Sequence, residues 1–173
     1  MKIVLFLLVV LAVFVIYVAT KSPEYLVFRE VSISASPEKI FSFFNSARKT
    51  ELWMPWSAMD SQMKMSYAGP ESGVGSKALW DSPGKMGTGS STISESIANR
   101  SVKVDLEYMK PFQMHQVAEL SITPSGSQSI VRWSVSGKNN FIGKAISLVM
   151  NCDKMIGGSF EQGLAKLKTL AEA

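Results

Sequence analysis

The chain has 173 residues, with one cysteine and one histidine among them, and no run of basic residues. A lone thiol, Cys152, excludes an internal disulfide and leaves no cysteine-rich zinc site. Helical spacing puts it on an apolar face, where a free cysteine packs as a small hydrophobe. A lone imidazole cannot assemble a histidine metal centre. Strand alternation places His115 opposite Met114 and Gln116, toward solvent rather than in the position of a general base. Charge is equally sparse: 18% of residues are charged and the net charge is +4. So mild and dispersed a balance gives no argument for nucleic acid, and none is expected as a partner, while a domain near anionic lipid is compatible with it.

The chain also lacks the motifs of common chemistries. There is no G-x-S-x-G nucleophile elbow. Gly69 to Lys77 does not have phosphate-loop spacing, and Gly87-Thr88-Gly89 lacks the rest of a dinucleotide fingerprint. No cofactor or metal is expected. Glu107 alternates away from Leu106 and Tyr108, toward solvent. The inward polar candidates reduce to Gln116, Tyr108 and Glu95, which is short of the positioned acid–base pair a cyclase or dehydratase needs.

What the chain does have is apolar. Ile3 to Ala19 is an unbroken apolar run, roughly 25 Å as a helix, at the short end of what crosses a bilayer. It is longer than the core of a cleaved signal peptide, and cutting after Ala19 would leave bulky Tyr17 close behind the cut. The expectation is an uncleaved anchor over residues 1–20 and a domain over 21–173. Positive charge at the N-terminus and Lys2 favours an extracytoplasmic domain. Only Lys21, Ser22 and Pro23 separate anchor from domain, so the domain must sit against the membrane.

Residues 24–33 alternate as a strand, with Val27, Val31 and Ile33 inward. Ser36-Pro37 opens a helix with a good cap and a tolerated first-turn proline; Ile40, Phe44 and Ala47 form its buried stripe. A helical or loop piece over 48–60 carries Trp53, Pro55 and Trp56. Six strand-like segments follow, joined by short turns and therefore antiparallel neighbours. Their inward residues are Met63, Met65 and Tyr67; Ala78 and Trp80; Ile93 and Ile97; Val102 to Tyr108; Met114 to Ile122; and Val131, Trp133 and Val135. At the end, Ala145, Val149, Cys152, Ile156, Phe160, Leu164, Leu167 and Ala171 share one face. That spacing predicts a single amphipathic helix over 141–171, roughly 45 Å long. Gly157, Gly158 and Gly163 lie within it and imply close backbone approach, a kink, or space left for a ligand.

The fold class is α+β: a curved antiparallel sheet of about seven strands around a long C-terminal helix. Trp53, Trp56, Met65, Tyr67, Trp80, Tyr108, Met114, Trp133, Met150 and Met155, with the polar Gln116, are expected to face one interior. Pliable methionines and aromatics suit a site for a hydrophobic ligand, or they fill an ordinary core.

Several motifs resemble the START-like, or SRPBCC, superfamily, and most closely its polyketide cyclase/dehydrase and lipid transport group. They are Ser36-Pro37-Glu38-Lys39-Ile40-Phe41, the Trp53-x-x-Trp56 pair, Gly69-Pro70-Glu71-Ser72-Gly73-Val74-Gly75, Trp133-Ser134-Val135-Ser136-Gly137, and Asp153-Lys154-Met155-Ile156-Gly157 running on to Phe160-Glu161-Gln162-Gly163-Leu164. The resemblance spans about residues 25–172. It implies a helix-grip fold and a hydrophobic ligand held between sheet and helix. Members range from lipid carriers to cyclases to hormone receptors, and fold alone does not choose among them. The leading expectation is a membrane-tethered, non-catalytic binding module for a lipid or other hydrophobic molecule. The alternatives are a cyclase- or dehydratase-type enzyme and a ligand-free interaction or stress protein.

Overall fold

The computed structural model describes residues 2–56, 60–84, 86–111, 113–149 and 152–173, the side chains at 149 and 152 excepted. The elements run α1 (Lys2–Thr20), β1 (Glu24–Ile33), α2 (Pro37–Phe44), α3 (Ala47–Thr50), β2 (Lys64–Ala68), β3 (Lys77–Asp81), β4 (Thr88–Ile97), β5 (Ser101–Lys110), β6 (Met114–Ser125), β7 (Gln128–Lys138), α4 (Phe141–Val149) and α5 (Cys152–Glu172). All seven strands form one antiparallel sheet in the order β1-β7-β6-β5-β4-β3-β2. Strands 2 to 7 pair with their chain neighbours, and β1 closes on β7. The expected α+β grip of sheet on helix is present.

The core lies between the sheet and α5. Phe160, Leu164, Leu167 and Ala171 are buried on α5, against Val27 and Ile33 of β1 and Val131, Trp133 and Val135 of β7. The helical phase is the expected one. The C-terminal segment is helical over Phe141–Val149 (α4) and Cys152–Glu172 (α5), and residues 150 and 151 between them lie outside the described residues. The predicted positions at Met150, and the side chains of Val149 and Cys152, lie outside the described residues. At the other end of the sheet, Ser36 caps α2, its hydroxyl accepting from the Lys39 amide at 3.3 Å. Ile40, Phe41 and Phe44 are buried beneath α2. Past α3 the chain forms turns over 51–53 and is helical again at Trp56, so the described part of 48–60 mixes helix and loop, with residues 57–59 outside the described residues.

Two of the three glycines of α5, Gly157 and Gly163, are explained by close approach, while Gly158 faces open space. On β1 the inner face carries Arg29 between Val27 and Val31. Its guanidinium bonds Asp153 at 3.1 Å and Glu161 at 2.7 Å, and it occupies the place a side chain at Gly157 would take. These bonds hold the Asp153 carboxyl below its ordinary pKa. At Gly163 an added methyl would sit 2.8 Å from the Trp133 ring and 3.2 Å from Pro55. The two positions should therefore respond differently to alanine. Gly163→Ala meets packed rings and should destabilise by about 1–3 kcal/mol, as overpacking does. Gly157→Ala displaces the Arg29 guanidinium from its partly exposed ion pairs with Asp153 and Glu161, each worth under about 1 kcal/mol, and gains about 1 kcal/mol of helix propensity, so its net effect should lie near zero. Thermal melts of the two variants check the contrast.

The polar strand β4 departs from simple alternation. The β4–β5 register shifts between Ile93 and Glu95, and such a bulge reverses which residues face inward. Ile93 stays buried opposite Val104, but Glu95 turns outward and pairs with Lys103 at 2.9 Å. Ile97 is exposed for the same reason, while Ser96 turns back to meet Asn45 at 2.7 Å. Both the inward Ile97 and the inward Glu95 of the sequence reading are thus corrected. The Gly69–Gly75 turn docks α2 and α3 onto this strand. The Gly73 amide donates to the Asn45 carbonyl and the Gly75 amide to the Ile93 carbonyl, both at 2.8 Å. Gly69, Gly73 and Gly75 all adopt positive φ, the conformation glycine takes without steric cost.

Helix α1 is long and apolar enough to cross a membrane, by length and composition. All of it except Val18 projects from the domain. Its last turn rests on α4: the Lys144 ammonium donates to the carbonyls of Ala19 and Lys21, both at 3.1 Å.

Candidate functional site

A cavity of about 310 Å³ lies between the concave face of the sheet and α5. Strand alternation builds its floor: Ser91 and Ile93 of β4, Val104, Leu106 and Tyr108 of β5, Met114, Gln116, Ala118 and Leu120 of β6, and Trp133 and Val135 of β7. Ile156 and Phe160 of α5 form the roof. The segment after α3 and the edge strands supply one wall, with Met54, Trp56, Met63, Met65, Ala78, Trp80 and Met86.

An aromatic stack fixes one side. The Trp133 and Phe160 rings lie parallel with centroids 3.9 Å apart. Trp53 and Trp56 meet Trp133 edge-on at 5.2 and 6.4 Å. On the far side, Trp80 lies across Gly89, where a side chain would collide with its ring. It meets Tyr108 edge-on at 5.5 Å and donates its indole N–H to the Met86 carbonyl at 3.3 Å. The edge-on contacts are among the favoured aromatic geometries.

Of the residues expected to face one interior, the structure brings Trp56, Met65, Trp80, Tyr108, Met114, Gln116 and Trp133 together around the cavity. Three others do not line it. Trp53 is fully buried behind Trp133, its indole N–H donating to the Phe43 carbonyl at 3.1 Å, so it supports the wall from outside. Tyr67 lies farther along the edge strand β2, with the Arg48 guanidinium 4.4 Å over its ring and no partner for its buried hydroxyl among the described residues. Met155 is 59% exposed, one residue out of phase with Ile156. Met150 lies outside the described residues. Residues that sequence reasoning did not single out are Met54 and Met86, which sit in irregular segments where no period assigns a face. Glu51 and Thr50, at the end of α3, were missed for the same reason.

Polar groups are few, and the buried Trp133 indole N–H has no hydrogen-bond partner among the described residues. Gln116 is buried and donates to the Tyr25 hydroxyl. Burial pushes the Tyr108 phenol up to about 12 from an ordinary 10.0, with a smaller contribution from Tyr25. The neutral phenol is therefore favoured in the fold. Stability contributed by Tyr108 is complete below pH about 10 and should be lost as pH rises through about 12. Ultraviolet titration should show a tyrosine ionising near that value, and Tyr108→Phe should remove both the signal and its share of the alkaline loss. Among the described lining residues Glu51 is the one carboxylate.

A seven-stranded sheet gripping a C-terminal helix over an apolar cavity defines a START-like, helix-grip protein. Within that class, the sequence profile described as "polyketide cyclase / dehydrase and lipid transport" matches residues 26–172, and the chain belongs to that family. Solved structures share the fold at low identity. Truncated norcoclaurine synthase from Thalictrum flavum is 14% identical, with a TM-score of 0.63 over 87% of this chain and 95% of that one. The Aha1 dimer from Colwellia psychrerythraea is 19% identical, with a TM-score of 0.59 over 86% and 96%. A protein from Chromobacterium violaceum is 12% identical, with a TM-score of 0.62 over 86% and 97%. A search of curated proteins finds no match.

Proposed function

We propose that the protein is a membrane-tethered binding module in which α1, residues 1–20, is the anchor and residues 21–173 hold a lipid or other hydrophobic small molecule without transforming it. The observation that carries this reading is the cavity of about 310 Å³ between sheet and α5, walled by methionines and aromatics. Its volume lies at the lower end of the ~300–1,000 Å³ range of small-molecule sites. That size suits a single acyl chain or a small ring system better than a two-chain lipid. Five methionines, Met54, Met63, Met65, Met86 and Met114, give an adaptable lining rather than a chemically selective one. The anchor confines such a module to one membrane and argues against free shuttling.

Purifying the full chain in mild detergent and identifying co-purifying small molecules by mass spectrometry tests the binding reading. A stoichiometric amphiphile is expected, and an empty protein that also fails to take up a hydrophobic fluorophore saturably would overturn it. The tether is tested by fractionation. The chain should sediment with membranes and retain its N-terminal residues, and a mature chain beginning near Lys21 in the soluble fraction would sink it. Protease added outside the cell should digest the domain if it lies on the extracytoplasmic side.

The second reading, a cyclase- or dehydratase-type enzyme, draws on the family description and on Tyr108, whose neutral phenol reaches the cavity as a hydrogen-bond donor. Turnover of a polyketide-like substrate that falls with Tyr108→Phe would favour it. Glu95, ion-paired on the outer face, is no longer a candidate for that chemistry.

A further inference from the structure

A broad open groove adjoins the cavity. Met86, Tyr108, Met114 and Gln116 line both spaces, so these four side chains stand between them. One wall of the groove is the start of β1, Glu24 to Leu26; the opposite wall is α4, through Ile142, Gly143 and Ile146. Both walls lie next to the end of α1. Three residues separate α1 from Glu24, and Lys144 of α4 bonds the carbonyls of Ala19 and Lys21. Val18, in the last turn of α1, is fully buried there.

Helix α4 is too apolar for a solvent-facing element. Ile142 is 67% exposed and Ile146 47%, and these two, one turn apart, face the groove. Phe141 and Leu148, two turns apart on an adjoining face, are also open. Leu26 and Met114 add exposed apolar surface at the same end. Lys110 and Lys138 line the groove beside Glu24, which lies 3.9 Å from Lys138, while at the end of α1 the Lys144 ammonium bonds the Ala19 and Lys21 carbonyls and the Lys21 ammonium lies over the Tyr17 ring. An apolar strip rimmed by lysines matches the boundary between acyl chains and anionic headgroups, where interfacial helices lie.

We propose that this groove is a portal opening on the bilayer itself: α4 lies in the headgroup–acyl boundary beside the emerging anchor, and a single-chain amphiphile passes from membrane to cavity without crossing water. This rests on the reading of the cavity as a lipid site and of α1 as its anchor, and goes further in naming the route, the docking element and the bilayer as the partner. The distal end of the sheet, at the β4–β5 turn near Ile97, would then point away from the membrane.

The test uses the full chain reconstituted in vesicles of phosphatidylcholine and phosphatidylglycerol. In a Cys152→Ser background, an environment-sensitive fluorophore is attached at Ile142→Cys or, as the distal control, at Ile97→Cys. Lipid-borne quenchers should quench the label at 142 and leave that at 97 unaffected. Equal quenching at both sites, or at neither, overturns the portal. Loading is followed with a dansyl fatty acid supplied in the vesicles, read by energy transfer from Trp80 and Trp133. Phe141→Glu with Leu148→Glu, on the face proposed to meet lipid, should slow loading by about tenfold and leave final occupancy unchanged. Unchanged loading in that variant overturns the route even if the wild type binds the probe. If the wild type takes up no fatty acid at all, the binding reading fails and the portal with it. If it takes up fatty acid while the label at 142 stays in water, the portal alone fails.

Discussion

Leu164→Ala is expected to destabilise the protein by about 2–5 kcal/mol, the usual cost of truncating a large buried side chain and leaving a void behind. Leu164 is 2% exposed and lies midway along the buried stripe of α5, one turn beyond Phe160 and just before Leu167. The whole grip depends on this stripe, because no other described helix of comparable length covers the sheet. Nearby Phe160 already borders empty space, whereas Leu164 is not among the residues lining the cavity. A new hole at 164 therefore lies within packed core, where neighbours have little freedom to collapse into it. The contrasting substitution is Lys168→Ala, one turn on. Its ammonium donates to the Ser32 carbonyl at 2.6 Å and meets Glu172 at 3.5 Å, both near solvent. Losing such exposed contacts should cost under about 1 kcal/mol. Denaturation of the detergent-solubilised chain, followed by tryptophan emission, should separate the two by midpoint. Equal shifts would mean that α5 does not grip the sheet through this face.

The stripe was legible because helical period leaves little freedom: with Phe160, Leu164, Leu167 and Ala171 apolar, only one rotation of the helix buries all four. Strands β5, β6 and β7 were legible for the analogous reason, since strict alternation over ten or more residues assigns each side chain a face. Tyr108, Met114, Gln116 and Trp133 reached the cavity on that basis alone. The readings that failed lie where the period is broken. One bulge in β4 turned Glu95 and Ile97 outward, and no residue in that polar strand announces the shift. Met155 is one step out of helical phase, and its size suggested a lining role that its position denies. Trp53 and Trp56 were placed together correctly, but only contacts show that Trp56 borders the cavity while Trp53 stands behind Trp133. The glycines of α5 illustrate the same limit. Sequence offered close approach, kink or ligand space; the packing of Arg29 and Trp133 against Gly157 and Gly163 selects close approach.

Ala118→Trp distinguishes a binding cavity from a loosely filled core, and its expected effect on binding is the largest predicted. Ala118 is buried at the centre of the sheet, between Val104 of β5 and Val135 of β7, and all three line the cavity floor. Its small side chain is what keeps that part of the floor low. An indole there rises into the space of about 310 Å³ beneath Ile156 and Phe160. If the space is vacant in the unliganded protein, the ring enters it with little strain, and the fold should lose no more than the ~1–3 kcal/mol typical of overpacking. The bound molecule would lose the same volume. A hydrophobic fluorophore that saturates the wild type, with altered emission from Trp80 or Trp133, should bind the variant at least about 100-fold more weakly, equivalent to about 2.7 kcal/mol. Retained folding with lost binding is a combination that a core without a site cannot produce. Non-saturable binding by the wild type together with unfolding of Ala118→Trp would refute the binding module and leave a ligand-free interaction protein as the reading of this fold.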